Sequence, residues 1–262
     1  AARQALVLRP DWELAALFQA QALQRNSAEE AIAFLDAFVK AHPGARDARL
    51  NYARMLVSAR RYPEARQQFE ALLAEAPNNA EIAMAVATLS IQAKDYAAAE
   101  VQLKRALDIG HKDPNTVRMY LGQVDEELKR NDDALKWYAA VTQGEQYVAA
   151  QARYAGVLAK QGKLAEARRH LQTVEAVDAQ QRTQLILAEA GLLREASAYQ
   201  EAFDFLGAAV ARTPDSTDLL YDYAMAAEKI NRVDVLEVNL RKVIAMRPTH
   251  AHAYNALGYT LA

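Results

Sequence analysis

Residues 62–77, Tyr-Pro-Glu-Ala-Arg-Gln-Gln-Phe-Glu-Ala-Leu-Leu-Ala-Glu-Ala-Pro, read as one amphipathic helix closed by a proline. The same design returns at 96–107 and again at 199–209, where Pro214 follows. The alanine that opens each copy forms a ladder: Ala31, Ala65, Ala99, Ala134, Ala167 and Ala202, and then Leu236. The steps are 34, 34, 35, 33, 35 and 34 residues. A second ladder of prolines marks the ends: Pro10, Pro43, Pro77, Pro214 and Pro248. Proline is missing between 77 and 214, yet that gap of 137 residues is close to four periods of 34. Self-similarity at such a period constrains the fold more than any other feature, because each unit buries its apolar side only against its neighbours.

Each period splits into two helices. Breakers fall between them, at Asn26-Ser27, Arg61-Tyr62-Pro63, Lys94-Asp95, Asn131-Asp132, Gly162, Ser197 and Asn231. Pro63 suits a first helical turn, and Ser27 and Asp95 suit N-caps. The spacing predicts helix pairs over 11–43, 45–77, 79–111, 114–145, 147–178, 181–214 and 216–248, with single helices at 1–9 and 250–262. The whole of 1–262 reads as one array. Residues 1–9 read as the end of a helix begun elsewhere, and 250–262 as a first helix without its second. The expectation is a piece of a longer chain whose targeting segment has been removed.

Composition agrees. Apolar residues make up 52 %, with much alanine, while glycine (9) and proline (7) stay at helix boundaries. No period-two Val/Ile/Thr run predicts a strand. With 31 basic and 33 acidic residues the formal charge is −2, which supplies no electrostatic reason to bind nucleic acid or an anionic membrane. There is no cysteine, so disulfides and cysteine-ligated metals are excluded; cytosol and periplasm both remain compatible. No apolar run reaches the 18 residues of a membrane span.

Catalytic chemistry is absent from the motifs. The five histidines are His42, His111, His170, His250 and His252. The first two read as solvated loop or cap residues, and on a helix His250 and His252 would point about 200° apart. Glu126-Glu127 and Asp132-Asp133 read as a solvated face and an N-cap. Gly162-Lys163 lacks the glycine loop and Ser/Thr of a phosphate cradle. Arg168-Arg169-His170 and Arg60-Arg61 read as small basic clusters at the convex surface or a turn, and Trp12, Trp137 and Tyr138 as core. No cofactor is expected, and the chain reads as no enzyme.

These residues resemble the tetratricopeptide repeat. Leu121-Gly122 with Ala134, Tyr138 and Val141 fits its pattern, as do Ala65, Phe69, Leu72 and Pro77, and Ala202, Leu206, Ala209 and Pro214. The run Ala253-Tyr-Asn-Ala-Leu-Gly-Tyr259 matches a first helix. Ala53, Ala87 and Ala224 stand where Gly is usual, and Leu236 where a small residue is usual. The resemblance covers essentially the whole chain. It implies an all-α, right-handed α-solenoid of about seven helix-turn-helix repeats with partial units at both ends. A narrower likeness rests on 184–195, on 199–202, on Asp234-Val235-Leu236-Glu237 and on 255–262. These runs look like proteobacterial, periplasmic, outer-membrane-anchored lipoproteins that act as adaptors for a carboxyl-terminal processing protease.

In such arrays the first helices line a concave groove. Carried over, the groove residues are Leu50, Arg54, Val57, Met84, Thr88, Ile91, Met119, Gln123, Leu187, Arg194, Tyr221, Met225, Asn255 and Tyr259. The set is apolar for exposed positions, and its methionines suit variable partners. One subclass grips a terminal carboxylate with lysine and asparagine; here the matching positions hold Ala16, Leu50, Met84 and Met119, which argues against that mode. The implied function is a non-catalytic scaffold for a protein or peptide, extended or helical, including a protease adaptor. Two alternatives stay open: an appendage to an enzyme domain outside 1–262, and self-association through the terminal helices.

Overall fold

The computed structural model describes residues 1–261 and leaves only the last position, Ala262, of the expected 250–262 helix outside. Among the described residues there are sixteen α-helices and no strand. The chain forms two compact units, Ala1–Trp137 and the part from Tyr138 onward. Unit 1 runs α1 (Ala2–Leu8), α2 (Glu13–Gln24), α3 (Ala28–Ala41), α4 (Arg46–Ser58), α5 (Tyr62–Glu75), α6 (Ala80–Gln92), α7 (Tyr96–Asp108) and α8 (Pro114–Glu127). The unit boundary lies inside α9 (Asn131–Ala139). Unit 2 continues with α10 (Tyr147–Lys160), α11 (Leu164–Thr173), α12 (Ala179–Glu195), α13 (Tyr199–Arg212), α14 (Thr217–Lys229), α15 (Val233–Met246) and α16 (Ala251–Leu261). From α2 onward the even-numbered helices are the first of each pair and the odd-numbered helices the second.

The alanine ladder is where paired helices meet. Ala31, Ala65, Ala99, Ala134, Ala167 and Ala202 are each 0 % exposed, and Leu236 is 1 %. On the first helices Ala53, Ala87 and Ala224 are equally buried. A methyl group lets two backbones approach closely, so the repeat of small residues sets the pairing. Branched side chains such as Leu35, Leu56, Leu103 and Leu121 in unit 1, and Leu193, Leu206, Leu220 and Leu240 in unit 2, fill the space between.

Two kinds of junction alternate. Within a pair the chain turns through one left-handed residue: Arg60, Lys94 and Lys129 in unit 1, and Gly162, Ser197 and Asn231 in unit 2. The next N–H closes the helix by reaching back five residues, as in Arg61 to Leu56 O and Asp95 to Ser90 O, both 2.8 Å. This is the Schellman closure, usually built with glycine; here glycine serves at Gly162 alone. Between pairs, the residue before each proline is extended: φ is −127° at His42 and Ala76, and −135° at Thr213. A following proline forbids the helical conformation there, so the proline ladder ends the second helices. Where proline is missing after α7, Gly110 takes a left-handed turn (φ +83°) instead.

Side-chain caps hold the starts. Asn79, Asp95, Asp113, Asp178 and Ser216 each accept a backbone N–H from three residues on. His250 does the same through Nδ1, accepting from Ala253 N–H at 3.1 Å. It therefore lies outside the helix, and its ring faces His252 at 6.3 Å rather than pointing away from it.

Other expectations change in the folded chain. Trp12 is 42 % exposed and is no core residue, whereas Tyr138 is fully buried. The His111 side chain is only 6 % exposed, not solvated, because its Nδ1 accepts the Asp113 N–H at the α7–α8 turn. Arg168-Arg169-His170 makes no basic patch. Arg168 binds Glu189 and Glu201, and His170 Nε2 lies 2.8 Å from Gln151 Oε1 with its ring stacked on Tyr154 at 4.3 Å. Arg61 of the other cluster is held by Glu64 and reaches Glu29.

Candidate partner-binding face

In unit 1 the first helices α2, α4 and α6 bring exposed apolar side chains to two clefts. One, of about 490 Å³, is lined by Arg54, Val57 and Ser58 of α4, Phe69 of α5, and Ala85, Thr88 and Leu89 of α6. The positions arise from helical spacing: Arg54, Val57 and Ser58 are three and four apart on α4 and share a face. The second cleft, of about 270 Å³, is lined by Leu14, Leu17, Phe18, Gln21 and Gln24 of α2 with Asn51 of α4. Leu14 and Phe18 are 53 % and 57 % exposed, high values for large apolar side chains.

The residues assigned to the groove from sequence therefore divide. Arg54, Val57 and Thr88 line one cleft together. Leu50, Met84 and Ile91 are half-buried and spend most of their surface on the unit 1 core. Met119 is 7 % exposed and offers no open surface, because it packs inward from α8. Gln123 is half-exposed.

Leu17, Gln21 and Gln24 were not legible as groove residues, and the reason is a slip of one residue; Leu14 and Phe18 correspond to Asp47 and Asn51, outside the groove positions carried over. Pro10 to Pro43 is 33 residues, while Ala31 to Ala65 is 34. The first pair closes one residue sooner, Ser27 N–H reaching back four residues to Leu23 O rather than five, and is the only one among the described pairs without a left-handed residue there. Counted back from Leu50, Arg54 and Val57, a constant step of 34 points to Ala16, Ala20 and Leu23, the first two buried; a step of 33 points to Leu17, Gln21 and Gln24, all on the cleft.

In unit 2 the corresponding first helices are α12, α14 and α16. Leu187 borders a cleft of about 610 Å³ together with Arg182, Ile186, Arg212, Pro214 and Asp218. Arg194 on α12 donates to Asp222 on α14 at 2.6 Å, so its charge is already answered within the fold. Tyr221 lies against the His250 ring at 5.1 Å, and Met225 packs on the unit 2 core. Asn255 and Tyr259 are exposed, Tyr259 at 87 %.

The strongest electrostatic perturbations lie elsewhere, where helices are tied together. Burial pushes the Tyr52 phenol up to about 12, helped by its bond to Asp36 at 3.1 Å. The Arg232 guanidinium holds the Asp234 carboxyl down at about 2. Neither neighbours an apolar cleft, and each has a full structural explanation. No three His, Asp or Glu side chains among the described residues converge so as to hold a metal ion. No described helix is long and apolar enough to cross a membrane.

Comparison with known proteins agrees with this geometry. Residues 22–89 match the tetratricopeptide repeat family. A TPR repeat-containing protein of Pseudomonas aeruginosa, PA4667, is 38 % identical over 142 residues, which is 54 % of this chain. The match spans only 24 % of that curated relative's length. A tetratricopeptide repeat protein from Parabacteroides merdae superposes with a TM-score of 0.61 at 13 % identity, covering 95 % of this chain and 99 % of that one. Pseudomonas aeruginosa pilF superposes with a TM-score of 0.51 at 18 % identity, covering 79 % and 94 %. At such identities the two structures speak for the fold alone. The paired helices, the buried alanine ladder and these matches make the chain an all-α solenoid of helix pairs, similar in fold to tetratricopeptide repeat proteins.

Proposed function

We propose that this chain is a non-catalytic scaffold that receives a segment of another protein on its first helices. The observation that carries the proposal is the cleft where Arg54, Val57 and Thr88 meet across α4 and α6. Apolar side chains left in water are a standing cost of roughly 25 cal/mol per Å², which a bound segment would remove. Tetratricopeptide repeat proteins are in general non-catalytic scaffolds, and the family match gives this reading its class. In unit 2, Leu187, Tyr221, Asn255 and Tyr259 would offer a face of its own.

The test is affinity capture from the source organism. Val57→Asp with Thr88→Asp should abolish capture of the partner while circular dichroism and the thermal midpoint stay unchanged, because both side chains are exposed. Undiminished capture by the folded double variant would refute the assignment. The runs 184–195 and 255–262 favour the narrower reading of a periplasmic adaptor that brings substrates to a carboxyl-terminal processing protease. Its test is whether such a protease is among the captured proteins.

A further inference from the structure

We infer that the unit 1 clefts take an acidic-apolar segment, two apolar side chains flanking one carboxylate; this rests on the scaffold reading and names the chemistry of its partner. Arg54 is the starting point. Its neighbours in sequence have partners: Arg46 with Glu75, Arg49 with Gln68 and the Pro43 carbonyl, Arg61 with Glu64, and Arg66 with Glu70 and Asp95. Of the α4–α5 arginines, only Arg54 and the turn residue Arg60 have no side-chain partner, and of these two Arg54 alone borders a cleft. No carboxylate lines either of these two clefts, and Arg54 is the sole charged residue among their linings; other clefts of unit 1 carry Glu81 with Lys112 and Glu70 with Arg66. The nearest acid on its face of α4, Asp47, is two turns away, about 10 Å along the helix.

A guanidinium at the mouth of an apolar cleft recognises a carboxylate better than it does a neutral group, because the surrounding apolar walls strengthen the pair. Unit 2 provides the contrast. There the groove arginine, Arg194, is already spent on Asp222. The unit 2 cleft also carries Arg182 and Arg212, but there the lining already holds a carboxylate, Asp218.

Geometry sets the spacing. The two clefts share α4, where Asn51 and Arg54 are three residues apart and face the same way. Neighbouring helix axes lie about 8–10 Å apart, so the clefts are separated by about that distance. An extended polyproline-type segment rises about 3.1 Å per residue and covers it in three residues. One apolar side chain then rests on Leu14 and Phe18, the next enters the cleft beside Val57 and Thr88, and a carboxylate between them meets Arg54.

The experiment is fluorescence anisotropy of the whole chain with labelled 12-residue peptides carrying two leucines three positions apart. One peptide has Glu between the leucines and the other has Lys. The Glu peptide should bind at least about tenfold more tightly. Arg54→Glu should invert the preference, and Phe18→Asp should weaken the Glu peptide, with helicity unchanged in both. Equal binding of both peptides that Phe18→Asp abolishes overturns the acidic partner and leaves the scaffold reading standing. Binding of neither peptide, or binding that ignores both variants, overturns the inference itself. Concentration-dependent dimerisation that Phe18→Asp removes overturns it in favour of a second copy of the chain.

Discussion

Units 1 and 2 each bury one carboxylate on a first helix and answer it with an arginine at the start of, or within, a second helix, but in opposite directions. In unit 1, Asp125 of α8 lies 2.5 Å from Arg130, just before α9, and that arginine also binds Glu100 of the preceding α7 at 2.6 Å. In unit 2, Glu189 of α12 lies 2.9 Å from Arg168 of the preceding α11, and that arginine also binds Glu201 of the following α13 at 2.8 Å. The cation thus comes from the later helix in one unit and from the earlier helix in the other. Glu189 gains a second donor, Gln172 at 2.9 Å. For Asp125, burial outweighs its arginine and holds the carboxyl above the usual range. One architectural problem, a polar group caught between stacked pairs, is met more completely in unit 2.

Removing the arginine in unit 2 should have the largest effect. Arg168→Ala leaves Glu189 buried without its cation and should destabilise α11–α13 by about 3 kcal/mol. The measurement is amide hydrogen exchange, with the loss confined to unit 2. Glu189→Leu added to it should restore most of the protection. An equal loss in unit 1 would break the comparison.

Acid should then separate the units. Burial holds the His170 imidazole below its ordinary range, and its Nε2–H is committed to Gln151. The folded state thus takes up the proton later than the unfolded state does, so the unfolded chain binds more protons as pH falls below about 6.5. This part of unit 2 stability is complete above that pH and declines beneath it. Exchange protection around α10 and α11 should fall between pH 7 and 5, and His170→Phe should flatten the dependence.

Turn substitutions should act alike in both units. A non-glycine residue in the left-handed region costs on the order of 1 kcal/mol, so Lys94→Gly and Ser197→Gly should each stabilise by up to that amount in denaturant titration. Asn tolerates this conformation better, so Asn231→Gly should gain less. The smallest effect belongs to Asp125→Asn. It removes a carboxylate whose burial is incompletely answered, and should leave stability unchanged or slightly raised near pH 7, with any gain vanishing in acid where Asp125 is protonated.

The helices and their pairing were legible because small residues at a fixed period need no distant information. The face of each helix was legible only as well as the period held. The earlier closure of the first turn moved the α2 groove positions by one, from Ala16, Ala20 and Leu23 to Leu17, Gln21 and Gln24. His250 escaped because a cap and a first helical residue look alike in sequence, and only the Ala253 N–H shows which it is. The charged residues were least legible. Arg168 appeared as part of a basic cluster, and its two carboxylates lie 21 and 33 residues further on.

The amino-acid order alone settles that this chain becomes paired helices stacked side by side, because alanine every 34 residues and a proline behind many second helices act through local backbone sterics. It does not settle which charges find partners. That depends on where side chains from helices about 30 residues apart come to rest, and it is why Arg194 is neutralised while Arg54 stands open beside an apolar cleft.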